Sequence, residues 1–156
     1  MKMKPITHPV LFYVLNFTWG LLLNIGGLLA ALVMLVSGHK PHRWGPCFYF
    51  EAGENWGGCE WGIFFITNKN PSIRIRNHEM GHAMQNCYLG PIMPFLICFP
   101  STIRYWTRRV EEDVMKKELK TSYDSIWFEG QATRLGYAYW EELRRKSAAV
   151  NPDDTE

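Results

Sequence analysis

From Val10 to Val36 the chain reads VLFYVLNFTWGLLLNIGGLLAALVMLV, without one charged residue. No other feature restricts the fold so strongly, because apolar surface on this scale has to leave water. At about 1.5 Å per residue, a helix through the run exceeds the roughly 30 Å hydrocarbon core of a bilayer. The competing reading is a cleaved secretory leader, with Val36-Ser37-Gly38 resembling a small-residue cleavage site. Leader cores usually run only about 7–15 residues, so a retained membrane helix is expected, with residues 1–38 as helix and flank. Asn16 and Asn24 inside it are expected to hydrogen-bond between helices, and Gly20, Gly26 and Gly27 to permit close approach.

Leu89 to Ile103, LGPIMPFLICFPSTI, is a second apolar stretch, interrupted by Pro91, Pro94 and Pro100. It is too short for a comfortable straight crossing, so a broken, re-entrant or interfacial segment is expected. Backbone breaks at membrane depth are tolerated only where protein or a cavity covers them. Lys2 and Lys4 precede the first run, while Lys40 and Arg43 follow it. Basic residues on both sides give no firm orientation, but most Lys and Arg lie after Ile103, a slight lean toward a cytoplasmic C-terminal part. The expected setting is an integral protein of a bacterial-type cell membrane, with the lipid bilayer as one partner.

A formal net charge of +2 leaves no polyanion-binding surface, so nucleic acid is not an expected partner. The length suits one domain, here 39–146, followed by a polar tail at 147–156. Cys47 and Cys59 flank a Gly-rich turn and would pair in an oxidising space, whereas Cys87 and Cys98 read as small buried hydrophobes. Cys47–Phe50 and Trp61–Thr67 are rich in aromatic and β-branched residues and read as a hairpin across the Gly-rich stretch. Asn70-Pro71-Ser72 should open a helix that runs through Cys87 and stops at Gly90-Pro91. A charged amphipathic helix is expected over 104–120, as a solvated face or one near lipid headgroups. Another helix should cover about Ser125 to Arg145. The fold class is thus a mainly α membrane protein with a small β-hairpin.

The chemistry sits in His78-Glu79-Met80-Gly81-His82, a His-Glu-x-x-His zinc signature. Residues i and i+4 share one helix face, so His78 and His82 can offer two imidazoles to one Zn²⁺. Glu79 stands beside them, placed to act on a water without becoming a ligand. A catalytic zinc needs a third protein ligand and an open position. No histidine follows His82, leaving His8, His39 or His42 to fold back, or a carboxylate. Asp113 and the Glu111-Glu112 pair fall in the charged run. Glu129 lies in the uncharged Trp127–Ala132 context, where a carboxylate is costly unless paired or metal-bound, and it is assigned as third ligand. Gly130 and Ala132 would let its helix pack closely on the zinc helix.

The His78-Glu79-x-x-His82 motif with Glu129-x-x-Ala132-x-Arg134-Leu135-Gly136 resembles the gluzincin branch of zinc metallopeptidases, especially small membrane-bound forms. The run HEMGHAMQNCYLGP…PS is also similar to a group of short bacterial membrane proteins with an HExGH…Q…LGP…PS pattern. The likeness covers approximately Trp61 to Gly136 and implies a zincin-like helix packed on a Glu-bearing helix. Where those peptidases often carry Asp after the Ala, to orient a ligating histidine, this chain has Thr133, which accepts a hydrogen bond but has no charge. HExGH also occurs in site-2-type intramembrane proteases. Those use a downstream Asp in a membrane helix, which Asn151-Pro152-Asp153-Asp154 in a polar tail does not supply. The resemblance implies hydrolysis of membrane proteins or membrane-proximal peptides, with Glu79 as general base and Tyr105, Tyr123 or Tyr137 as the oxyanion donor. The alternative is a catalytically weak or inactive zincin-like membrane adaptor.

Overall fold

The computed structural model describes residues 3–118 and 121–150. Lys2, Lys120 and residues 151–156, with the Asn151-Pro152-Asp153-Asp154 run, lie outside them. The described chain is mainly helical with one small mixed sheet.

The apolar run is not one helix. It forms α1 (Pro9–Phe17) and α2 (Leu21–Val36), bent by 93° across Thr18-Trp19-Gly20. The bend is held by polar side chains that the apolar run conceals. Asn24 Nδ2 donates to the carbonyls of Asn16 (2.9 Å) and Gly20 (3.0 Å), bridging the break. Asn86 Nδ2, from the later His-Glu-x-x-His helix, reaches Asn16 Oδ1 and the Gly20 carbonyl at 2.9 and 3.1 Å. Asn16 and Asn24 therefore bond across elements as expected. Among the described residues no single helix is long and apolar enough to cross a membrane.

The sheet has strand order β1-β2-β4-β3, from β1 (Pro41–Trp44), β2 (Cys47–Glu51), β3 (Gly58–Trp61) and β4 (Phe64–Thr67). The single hairpin expected from Cys47–Phe50 and Trp61–Thr67 is corrected to two hairpins whose inner strands, β2 and β4, run parallel. Gly62 is the reason. Its φ of +74° turns the chain inside the aromatic run, a conformation that costs glycine little, so Trp61 and Phe64 face each other across a turn. Asn24 Oδ1 accepts the Ile63 N–H at 2.8 Å and ties that turn to α2.

Helix α3 (Ile73–Leu89) begins where Ser72 caps it, its side chain accepting from the Ile75 N–H, and ends at Gly90 with φ +54°. Met80, Ala83, Met84 and Cys87 bury its far face against Phe12, Phe65, Leu135 and Tyr139. The proline-broken segment that follows is a 3₁₀ turn at Gly90–Ile92 and a π-helical turn at Pro94–Cys98, leading into α4 (Phe99–Arg109). The chain bends by 114° between Ile73–Ile92 and Pro94–Val114, so the expected break is present. The charged helix expected over 104–120 is shorter, ending in a π-helical turn at Val110–Val114. Helix α5 (Trp127–Val150) closes the described chain.

Two glycines set how α3 and α5 meet. A Cβ on Gly81 would lie 1.9 Å from the Ala132 carbonyl oxygen, and one on Gly136 would lie 1.9 Å from that of Asn77. The helices thus touch backbone to backbone, an approach only glycine allows. Ala132 takes part as expected, but Gly130 does not, since it abuts the Asp124 carbonyl instead.

Candidate metal centre

One turn of α3 separates His78 from His82, and α5 carries Glu129 to meet them. Glu129 Oε2 lies 3.0 Å from His78 Nε2 and 3.2 Å from His82 Nε2, and the two nitrogens are 3.1 Å apart. Tetrahedral bonds of about 2.0–2.1 Å separate ligand atoms by about 3.3–3.4 Å, so the triangle is within a few tenths of an ångström of a metal's requirement. The group is positioned to bind a metal ion.

The outer nitrogens are occupied in a way that turns the inner ones toward a metal. His82 Nδ1 is 2.7 Å from Gln85 Oε1. Gln85 Nε2 donates to the Phe128 carbonyl at 2.9 Å and to Gln131 Oε1 at 3.0 Å, which fixes the amide with its oxygen toward His82. A proton therefore sits on His82 Nδ1, which leaves Nε2, 3.2 Å from Glu129, as the nitrogen that would offer its lone pair to a metal on losing its own proton. His78 Nδ1 is 2.8 Å from Thr133 Oγ1, which can accept its proton in the same manner. Thr133 is thus placed to orient the His78 ring.

Glu129 is fully buried. Burial alone would raise its carboxyl, but hydrogen bonds with His78 and His82 outweigh this and hold it well below the usual carboxylate range. Its other oxygen, Oε1, accepts from the Ser101 hydroxyl of α4. Ser101 Oγ is 3.0 Å from the Tyr123 hydroxyl. With the serine proton aimed at Glu129, Tyr123 is the donor in that pair.

A cavity of about 620 Å³ opens in front of this group. Its walls run from Trp56 and Gly58 beside β3, across His78 and Glu79, to Tyr105 and Tyr123. The buried Glu79 carboxyl lies over Gly58, where a Cβ would come within 2.5 Å of its Oε1. Gly58 therefore leaves the space in which the carboxyl reaches the cavity.

Other expected positions fall elsewhere. His8 caps α1, His39 Nδ1 is 2.8 Å from the Glu51 carbonyl, and His42 stacks on Tyr49. Asp113 pairs with Arg109 at 3.3 Å, within the charged run that also carries Glu111 and Glu112. Tyr137 is half exposed and is not among the cavity walls. Cys47 and Cys59 are both free thiols, Cys47 buried and Cys59 exposed, so the pairing considered for an oxidising space is not made.

Sequence reasoning gave Gln85 and Ser101 no role. Both belong to the HExGH…Q…LGP…PS pattern, as its Q and its final S, and the i, i+3 spacing of His82 and Gln85 could have suggested their contact. No protein family, curated protein or solved structure matches the chain.

Proposed function

We propose that this chain is a zinc-dependent, membrane-associated peptidase with Glu79 as its general base. The observation that carries the reading is the convergence of His78, His82 and Glu129 on one point, with Glu79 beside it and a cavity in front. Two imidazoles and one carboxylate, with space left for solvent, make the ligand set of a catalytic zinc. Bound there, zinc would act as a Lewis acid and bring the pKa of a bound water to about 7.

The chain's own residues supply the remainder. Gln85 and Thr133 hold the imidazole rings, and Ser101 holds the Glu129 carboxylate. Glu79 takes the proton of the attacking water and returns it to the leaving amine. Tyr123, whose ring centroid lies 6.2 Å from that of His78, turns its hydroxyl proton from Ser101 to the oxyanion. Strand β3 is an edge of the sheet and borders the cavity, so an extended peptide can add to it through main-chain hydrogen bonds. The apolar runs favour a membrane protein or membrane-proximal peptide as substrate.

Purified protein loaded with zinc, and its Glu79→Gln variant, should be compared on fluorogenic peptides in detergent. The variant is expected to retain stoichiometric zinc while hydrolysis drops by roughly 10²–10⁴. Equal rates in the two proteins would end the peptidase reading.

A further inference from the structure

Glu60 sits on β3, outside the metal group, and only 7% of its surface is exposed. Its Oε1 is buried without a hydrogen-bond partner. The residue lines the same cavity as His78, Glu79 and His82. Burial pushes its carboxyl up to about 8, with the His82 charge opposing and the Glu79 charge adding. An unpaired buried carboxyl oxygen is costly, and native proteins keep such groups chiefly where a ligand completes them. Nothing in the proposed hydrolysis uses it.

Its surroundings indicate the shape of that ligand. Met93 and Ile97, both almost fully buried, form apolar wall of the same cavity together with Cys98. An apolar slot that contains an acid suits a long alkyl stem ending in a cation, since the stem is desolvated by the walls while its head pairs with the carboxylate. A purely aliphatic group would leave Oε1 bare, and an anionic group would meet Glu60, Glu79 and Glu129 together. Resting on the peptidase reading, we infer that the cavity is a specificity pocket for a lysine or arginine side chain of the substrate, with Glu60 releasing its proton to solvent as it receives the cation. A peptide lying along edge strand β3 would bring such a side chain to Glu60 from the adjoining backbone.

Binding to metal-free, full-length protein separates this inference from the reaction, because nothing is hydrolysed. The probes are acetyl-Ala-Lys-Ala-amide and acetyl-Ala-norleucine-Ala-amide, matched in stem and differing in the ammonium, with affinities read by calorimetry. Wild type should bind the lysine peptide at least about tenfold more tightly. Glu60→Gln should bring the two within about twofold while leaving norleucine binding unchanged, and Glu60→Asp should keep a reduced preference. Equal affinities in wild type, or a preference that survives in Glu60→Gln, would overturn the assignment. An unblocked Ala-norleucine-Ala-amide that gains affinity through Glu60 would also overturn it, by giving the carboxylate to a free amino terminus. Hydrolysis by zinc-loaded protein is scored apart, so the pocket and the peptidase reading fail independently.

Discussion

Gln85 and Thr133 carry no charge, yet Gln85 sets the Nδ1 proton of His82 and Thr133 is placed to accept that of His78. Outer partners of ligating histidines typically contribute about 10- to 100-fold in metal affinity or activity. Gln85→Leu removes the acceptor while keeping most of the volume, and zinc affinity measured by chelator competition should fall by that factor. Thr133→Asp should raise it, because a carboxylate makes the His78 ring a more basic ligand. An unchanged affinity in Gln85→Leu would show that ring packing alone orients His82. Glu129→Ala should strip or greatly weaken zinc in the same assay, whereas Asp113→Ala, altering a surface ion pair 3.3 Å long, should leave it intact. Glu60 contributes a pH dependence of opposite sign to that of a hydrogen-bonded acid such as Glu129. Its folded pKa of about 8 lies above the unfolded value, so the native state holds its proton more tightly. That stability is complete below about pH 4.5 and is lost as pH climbs toward 8, by up to ~3–5 kcal/mol. Urea denaturation of metal-free protein across this interval should show the decline, and Glu60→Gln should flatten it.

At the scale of elements, α3 and α5 bring the ligands together through two glycine contacts. Adding a methyl group at Gly81 or Gly136 would drive a Cβ to within 1.9 Å of a backbone oxygen on the other helix. The helices must separate, and the separation moves Glu129 away from both histidines. Gly136→Ala is therefore expected to cost about 1–3 kcal/mol in denaturant titrations and to weaken zinc as well. A fully stable variant with native zinc affinity would contradict that packing. This arrangement marks how far the sequence could be read. The motif spacing, the Ser72 cap and the Gly90 stop are local signals, and they place α3 correctly. The Glu129 assignment follows from the cost of a lone carboxylate in apolar surroundings. The bend between α1 and α2 has no comparable signal, because Thr18-Trp19-Gly20 continues the apolar composition. It depends on Asn86, from a helix far along the chain, reaching the Gly20 carbonyl. Ser101 likewise meets Glu129 only once α4 has folded back, and the parallel pairing of β2 with β4 arises between two separate hairpins.

The whole molecule carries more exposed apolar surface than water favours. On α1 and α2, Val10, Val14, Leu29, Val33 and Val36 are among the large side chains left bare. From the π-helical turn through α4, Phe95, Phe99, Ile103, Trp106 and Val110 follow one another three or four residues apart and are also exposed. Ser101 and Tyr105, on the intervening positions, line the cavity. Segment and helix therefore serve both the proposed active site and an apolar stripe, with Trp106 bordering the two. Isolated exposed hydrophobics are ordinary, but continuous patches of this size mark a surface built to be covered. A bilayer would cover both patches without requiring a specific partner shape, and bent helices would suit partial insertion because Asn24 and Asn86 satisfy the Gly20 carbonyl at the first bend. At about 25 cal/mol per Å², covering even a few hundred Å² contributes several kcal/mol toward lipid. The protein should accordingly stay with the membrane fraction through alkaline carbonate and high salt, and leave it in detergent. Replacing Phe95 and Phe99 together by glutamate should release a substantial share into the carbonate supernatant while zinc binding persists, since both side chains are more than half exposed and neither borders the cavity. If the double variant stays as firmly bound as wild type, the α4 stripe is not in contact with lipid, and α1 with α2 must anchor the chain alone.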